Sequence, residues 1–208
     1  MTTAVLTPKF ILSDCRVTST ITVKDQQGTE HKVKGSTDTY SKQGDLNIRE
    51  PEGDHNLEAY VIFGEIPTAE ALVALAKATG FVNITMVLAA VAMFNIKVPT
   101  TPTGFAWVNG SGRIGWLIIE DGQYLLGYAP EGTEYVCFGS GKGYFEASYE
   151  RTGDILTAFT QAIHRDPLSS DLTYDHHDVE SGVTSRMVLS QAEVPTLETL
   201  LPVLDATA

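Results

Sequence analysis

Apolar and β-branched residues dominate two short stretches at the start of the chain, 2–7 and 10–15, which are parted by Pro8 and Lys9. Strand-like patterning on both sides of a two-residue break predicts a hairpin. "RVTSTITVKDQQGTEHKVKG" has the same character and predicts a second hairpin, turning at Gly28. "LEAYVIFG" reads as a further strand ending in glycine. "PTAEALVALAKATG" then opens on proline and closes on glycine, the punctuation of a helix of about 12 residues. A second apolar helix, roughly 83 to 94, follows at once. Beyond the loop "KVPTTPTG", the segments "FAWVNG", "RIGWLIIEDG" and "QYLLGYAPEGTEYVCFG" are separated by Gly, Asp-Gly and Pro-Glu-Gly breaks and predict a meander forming a second sheet. "SGKGYFEASYERTG" and "DILTAFTQAIHRD" read as helices, the latter capped by Asp154, and "LTYDHHDV" and "TSRMVLS" as closing strands.

Sheet, two helices, sheet, two helices and closing strands make an α/β (α+β) chain. Packing the inner faces of two mainly antiparallel sheets, with a helical pair outside each, buries both apolar faces of every layer. The expected architecture is therefore a four-layer α/β/β/α sandwich in a single domain spanning 1–208.

Composition narrows the partners rather than the fold. The 208 residues are 43% hydrophobic and 19% charged, and the formal net charge of -12 is spread along the chain. Such a surface disfavours polyanions, so no nucleic-acid partner is expected. Cys15 and Cys137 both lie in apolar strand-like segments, a pair without a disulfide framework or zinc spacing, which fits a reducing, cytoplasmic setting. The most apolar run, "FVNITMVLAAVAMFNI", is too short and too interrupted by Asn83 and Asn95 to span a bilayer, and no basic, then apolar, leader opens the chain. No membrane association is expected.

Two local motifs fail on their own chemistry. "GSGKG" resembles part of a phosphate-binding loop, but Val136 stands at the place of the first glycine, and Gly143 follows Lys142 where a magnesium-binding hydroxyl belongs. "DHHD" at 175–178 offers two histidines, yet neighbouring side chains of a strand point to opposite faces. No metal or other cofactor is expected.

The chemistry sits at the start. Methionine is normally clipped ahead of a small residue, so loss of Met1 would leave Thr2 carrying both a hydroxyl and a free α-amine. An α-amine has a pKa of about 8 and can take the hydroxyl proton directly or through one water. Nucleophile and base then coincide in one residue. The plainer reading of Thr-Thr is a β-favouring start to a strand.

Four segments in order, "TTAVLTPKFILSDCRVT", "YVIFGEIPTAEALV", "FGSGKGYFEA" and "AIHRDPLSSDL", resemble the proteasome β-subunit family, including the peptidase ring of the bacterial HslUV protease. The resemblance implies an N-terminal-nucleophile hydrolase, a threonine-type endopeptidase acting on polypeptide substrates. It matches Thr2 to the nucleophile, Asp14 with Arg16 to the Asp-x-Arg at the end of the first hairpin, and Gly64 to the oxyanion-binding glycine before the first helix. Ser140, Asp166 and Ser169 match the groups around the terminal amine. Asp14 would orient a lysine ammonium; Lys42, at the start of a strand after the second hairpin, is the choice, with Lys32 and Lys34 as rivals. Arg16 shapes the turn. Ile62, Ile66 and Glu70 would line the pocket for the residue before the cut. A closed homo-oligomeric ring and an ATP-dependent unfoldase are the implied partners. Phe63 departs from the family, which has a small residue before that glycine. The alternative is a catalytically inactive structural or assembly protein of the same fold, which retention of Met1 would enforce by turning the base into an amide.

Overall fold

The structure is a computed structural model that describes residues 2–24, 27–49, 55–93, 99–170 and 173–189. Strands β1 (Thr3–Leu6), β2 (Phe10–Asp14), β3 (Val17–Lys24), β4 (Glu30–Thr37), β5 (Gln43–Arg49) and β6 (Asn56–Phe63) lead into helices α1 (Ile66–Thr79) and α2 (Ile84–Met93). Strands β7 (Thr103–Asn109), β8 (Ile114–Glu120), β9 (Gln123–Tyr128) and β10 (Val136–Gly139) follow, then α3 (Lys142–Thr152), α4 (Ile155–Arg165), β11 (Thr173–Asp178) and β12 (Val183–Val188). The chain is thus mixed α+β, with two five-stranded sheets ordered β10-β1-β2-β11-β12 and β5-β6-β7-β8-β9, all of whose pairings are antiparallel.

Local signals act as their chemistry requires. Pro67 lies in the first turn of α1, and Gly80 ends that helix in the left-handed region, its N–H donating to the Ala76 carbonyl. The Asp154 carboxylate accepts from the Thr157 N–H at 2.7 Å, capping α4. Asp121 and Gly122 both have positive φ, as a two-residue hairpin between β8 and β9 demands.

Sheet membership departs from chain order in two places. β6, with β5, heads the second sheet instead of closing the first, and β10 leaves the meander to pair with β1. Burial supplies the reason. Every residue of β1 is buried, so both of its edges need partners, and β2 can satisfy only one. Among the described residues, the β3–β4 hairpin pairs with neither sheet.

Buried apolar side chains form three clusters. One joins α1 to the second sheet through Ile62, Leu72, Phe105 and Trp107. A second joins the two sheets, setting Ala4, Leu6 and Ile11 against Val61, Phe63, Ala106 and Val108. The third joins α4 to the first sheet through Val5, Leu12, Phe159 and Ile163. Alternation in β7 divides Phe105 and Trp107 from Ala106 and Val108, so this strand is apolar on both faces. No helix among the described residues is long and apolar enough to cross a membrane.

Candidate active site

Asp14 ends β2 and is fully buried. Its oxygens accept from Lys42 Nζ at 2.9 and 3.0 Å, from the Thr3 N–H at 2.8 Å, the Arg16 N–H at 3.0 Å and the Ser170 N–H at 3.3 Å. Lys42 lies just before β5, and the Ile62 N–H donates to its carbonyl at 2.8 Å, which fixes its backbone against β6. Neither side chain of this ion pair touches solvent. Burial lowers the Lys42 pKa, with the Asp14 charge opposing that shift. Among the rival lysines, Lys32 is exposed on β4, and of Lys34 only the backbone, paired with Thr20, is described. Arg16 presents its N–H to Asp14, while its guanidinium grips Asp38 at 2.9 and 3.2 Å.

The Thr2–Thr3 peptide is clamped from both sides. Its carbonyl accepts from the Ser140 N–H at 3.0 Å and its N–H donates to Asp14. Two glycines permit this approach. Gly139 has φ +95, and a Cβ there would meet the Thr2 carbonyl oxygen at 1.5 Å; a Cβ on Gly141 would meet Thr3 Oγ1 at 2.0 Å. Strand alternation sends the two threonine side chains apart. Thr3 Oγ1 lies 2.7 Å from Ser169 Oγ and donates to Asp166 Oδ2 at 3.3 Å. Thr2 Oγ1 is buried and has no hydrogen-bond partner among the described residues.

Asp166 is the C-cap of α4 and draws Ser140 and Ser169 together, accepting from their hydroxyls at 2.5 and 2.7 Å and from the Leu168 N–H at 3.0 Å. Burial would raise its pKa; the hydrogen bonds from Ser140, Ser169, Leu168 and Thr3 outweigh that and hold the carboxyl below its usual range. The same aspartate thus closes a turn and gathers hydroxyls. The structure brings Asp14 to Lys42 and Ser140 to Asp166 and Ser169, and Thr3 ties the two groups together.

Gly64 has φ +81, and a Cβ would strike the Pro102 carbonyl at 2.3 Å and Thr103 Oγ1 at 2.4 Å. Only glycine fits there without displacing backbone. Gly64 shares a cavity of about 660 Å³ with Thr2 and Ser140. Phe63, 2% exposed, stacks on Phe138 at 4.7 Å between ring centroids and belongs to the cluster joining the sheets. A separate pocket of about 260 Å³ lies beside Lys42, lined in part by Tyr40, Ile62 and Glu70. Ile62 is nonetheless a buried member of the cluster under α1, Ile66 packs against that cluster, and Glu70 accepts from the Tyr40 hydroxyl.

No motif marks the Ser170 N–H, and Thr3 stands out in the sequence only as the second residue of the Thr-Thr start. Alternation alone sends Thr3, the first residue of β1, to the face opposite its neighbour Thr2; that this face meets Gly141 is a non-local fact. His176 stacks on Phe10, whereas His177 Nδ1 lies 2.8 Å from Thr184 Oγ1, so the two rings do face apart. Among the described residues no group of three or more His, Cys, Asp or Glu side chains is placed to hold a metal ion. Both cysteines are free and buried, and burial pushes the Cys15 thiol up to about 12. Met1 lies outside the described residues. No protein-family model and no curated protein matches this sequence.

Proposed function

We propose that the chain is an N-terminal-nucleophile hydrolase of the proteasome type, a threonine peptidase whose nucleophile is Thr2 after removal of Met1. The three apolar clusters would be the cores between the layers of a four-layer sandwich. One observation carries the reading: the fully buried Asp14–Lys42 pair and the Ser140–Asp166–Ser169 cluster converge on the Thr2–Thr3 peptide, through the N–H and Oγ1 of Thr3 and, from the Ser140 N–H, the carbonyl of Thr2. A turn cap needs no buried ammonium, and burying an ion pair is costly enough that chemistry is the better reason to keep one.

In this mechanism the α-amine of Thr2 accepts the proton of the Thr2 hydroxyl as Oγ attacks the peptide carbonyl. The Lys42 ammonium, held by Asp14, stabilises the developing alkoxide, and the Gly64 N–H receives the carbonyl oxygen as it becomes negative. The C–N bond breaks, the Thr2 α-amine passes the proton it took from the hydroxyl to the leaving nitrogen, and an ester to Thr2 remains. Water then attacks the ester, giving its proton to the amine, and the hydroxyl is restored.

An epoxyketone, which reacts with both hydroxyl and amine of a terminal threonine, tests this directly. Intact-mass spectrometry is expected to find Met1 absent, one adduct per chain, and none on Thr2→Ala. Retained Met1 without a mass gain would overturn the peptidase and leave a structural relative.

A further inference from the structure

The larger cavity opens where the two sheets part. Ile114, Trp116, Ile118 and Glu120 share one face of β8, since alternate residues of a strand face the same way. Ile114 is 1% exposed, whereas the other three are only half-buried. On β10, Val136 and Phe138 face the same space, and the edge of Trp116 meets the Phe138 ring at 6.0 Å. Aromatic and branched side chains that contact one another are thus presented to a space of about 660 Å³, within the range of ligand clefts. Thr2, Gly64 and Ser140 line this space and do not line the pocket beside Lys42.

Resting on the reading of Thr2 as nucleophile, we propose that this cavity is the leaving-group subsite, receiving a bulky apolar side chain from the residue that follows the cut. The departing nitrogen takes its proton from the Thr2 α-amine. Thr2, which carries that amine, and Ser140, whose N–H holds the Thr2 carbonyl, both line the cavity and Lys42 does not, which is the ground for assigning this side to the departing half of the substrate. The pocket beside Lys42 is bordered by Tyr40, Glu70 and Lys77 and suits a more polar residue on the acyl side. Phe63 is then a wall of the subsite: a small residue there would leave its partner Phe138 unstacked.

Partition of the acyl-enzyme reads the leaving-group side alone. Phenylalaninamide or glycinamide competes with water: the amine nitrogen forms the new amide bond, the ester bond to Thr2 Oγ breaks, and the hydroxyl regains the proton the nitrogen loses. Phenylalaninamide is expected to divert the acyl-enzyme about tenfold more effectively, measured as the ratio of amide to acid product. Val136→Trp, which fills the cavity from an edge strand, and Trp116→Ala, which strips its wall, are each expected to shrink that advantage. The ratio is internal to each variant, so a slower acylation does not mimic the effect. Equal partition of the two amines by wild-type acyl-enzyme overturns the subsite and leaves the peptidase standing. Failure of the epoxyketone to label Thr2 overturns both.

Discussion

Asp14 and its hydrogen-bond donors make a sharper test of mechanism than a turn cap would. An asparagine keeps one carbonyl oxygen but offers no charge, so Asp14→Asn leaves the Lys42 ammonium buried and uncompensated. Removing one partner of a buried pair costs about 3–5 kcal/mol. Asp14→Asn is therefore expected to lose stability as well as hydrolysis, and Asp14→Asn/Lys42→Met to recover much of the stability with none of the turnover. Chemical denaturation beside peptide hydrolysis separates the two effects, and a folded Asp14→Asn protein with undiminished turnover would exclude the catalytic assignment. Asp166 answers to pH. Its folded pKa lies below the unfolded value, so its contribution is present in full above the ordinary carboxylate pKa of about 4 and is lost as pH falls through the folded value. Removing two donors with Ser140→Ala/Ser169→Ala brings the folded pKa up towards the unfolded one. Melting temperature measured from neutral to acid pH is expected to fall less steeply in that variant.

Two neighbouring elements, β1 and the turn between β10 and α3, meet through backbone alone at Gly139. Its φ of +95 and the 1.5 Å approach of a Cβ to the Thr2 carbonyl leave no room for alanine. Gly139→Ala is expected to displace the start of β1, lowering the melting temperature by several degrees, about what a loss of 1–2 kcal/mol produces, and slowing epoxyketone labelling of Thr2 more than tenfold. Labelling at the wild-type rate would show that the clamp on the Thr2–Thr3 peptide does not position the nucleophile. Such close approaches mark the boundary of what a sequence discloses. Helix α1 was legible because Pro67 and Gly80 punctuate it locally, and α4 because Asp154 caps it. Lys42 was chosen over Lys32 and Lys34 from its place at the start of a strand, but that it reaches Asp14 depends on the path of β5 beside β6, a non-local fact. β10 was legible as a strand and not as a partner of β1, since pairing depends on which edges remain open. Thr3 escaped because nothing in its local pattern distinguishes a threonine that fills a strand face from one that links Asp14 to Asp166. Ile62 shows the converse: the motif position was readable, its burial beneath α1 was not.

Among the described residues, apolar surface extends beyond the three buried clusters. On α2 Leu88 and Met93 are 52% and 71% exposed, and the edge strand β12 exposes Val183, Met187 and Val188. We propose the closed ring of copies that the family resemblance implies, and it is expected to give a light-scattering mass of several times 22.5 kDa at micromolar concentration. A monomer alone would exclude the ring. The separation of Thr3 from its partners has a further consequence, for biosynthesis. Thr3 Oγ1 meets Asp166 and Ser169 across 163 and 166 positions of sequence, and Ser140 holds the carbonyl of Thr2. Contacts so remote close late, after the large entropy of the intervening loop has been overcome. In the proposed peptidase the nucleophile would leave the ribosome first and its orienting groups last. On that proposal, until residue 169 has emerged and docked, Thr2 would be an ordinary threonine on a nascent chain, and the newly made protein would be harmless to its neighbours for as long as it is unfinished.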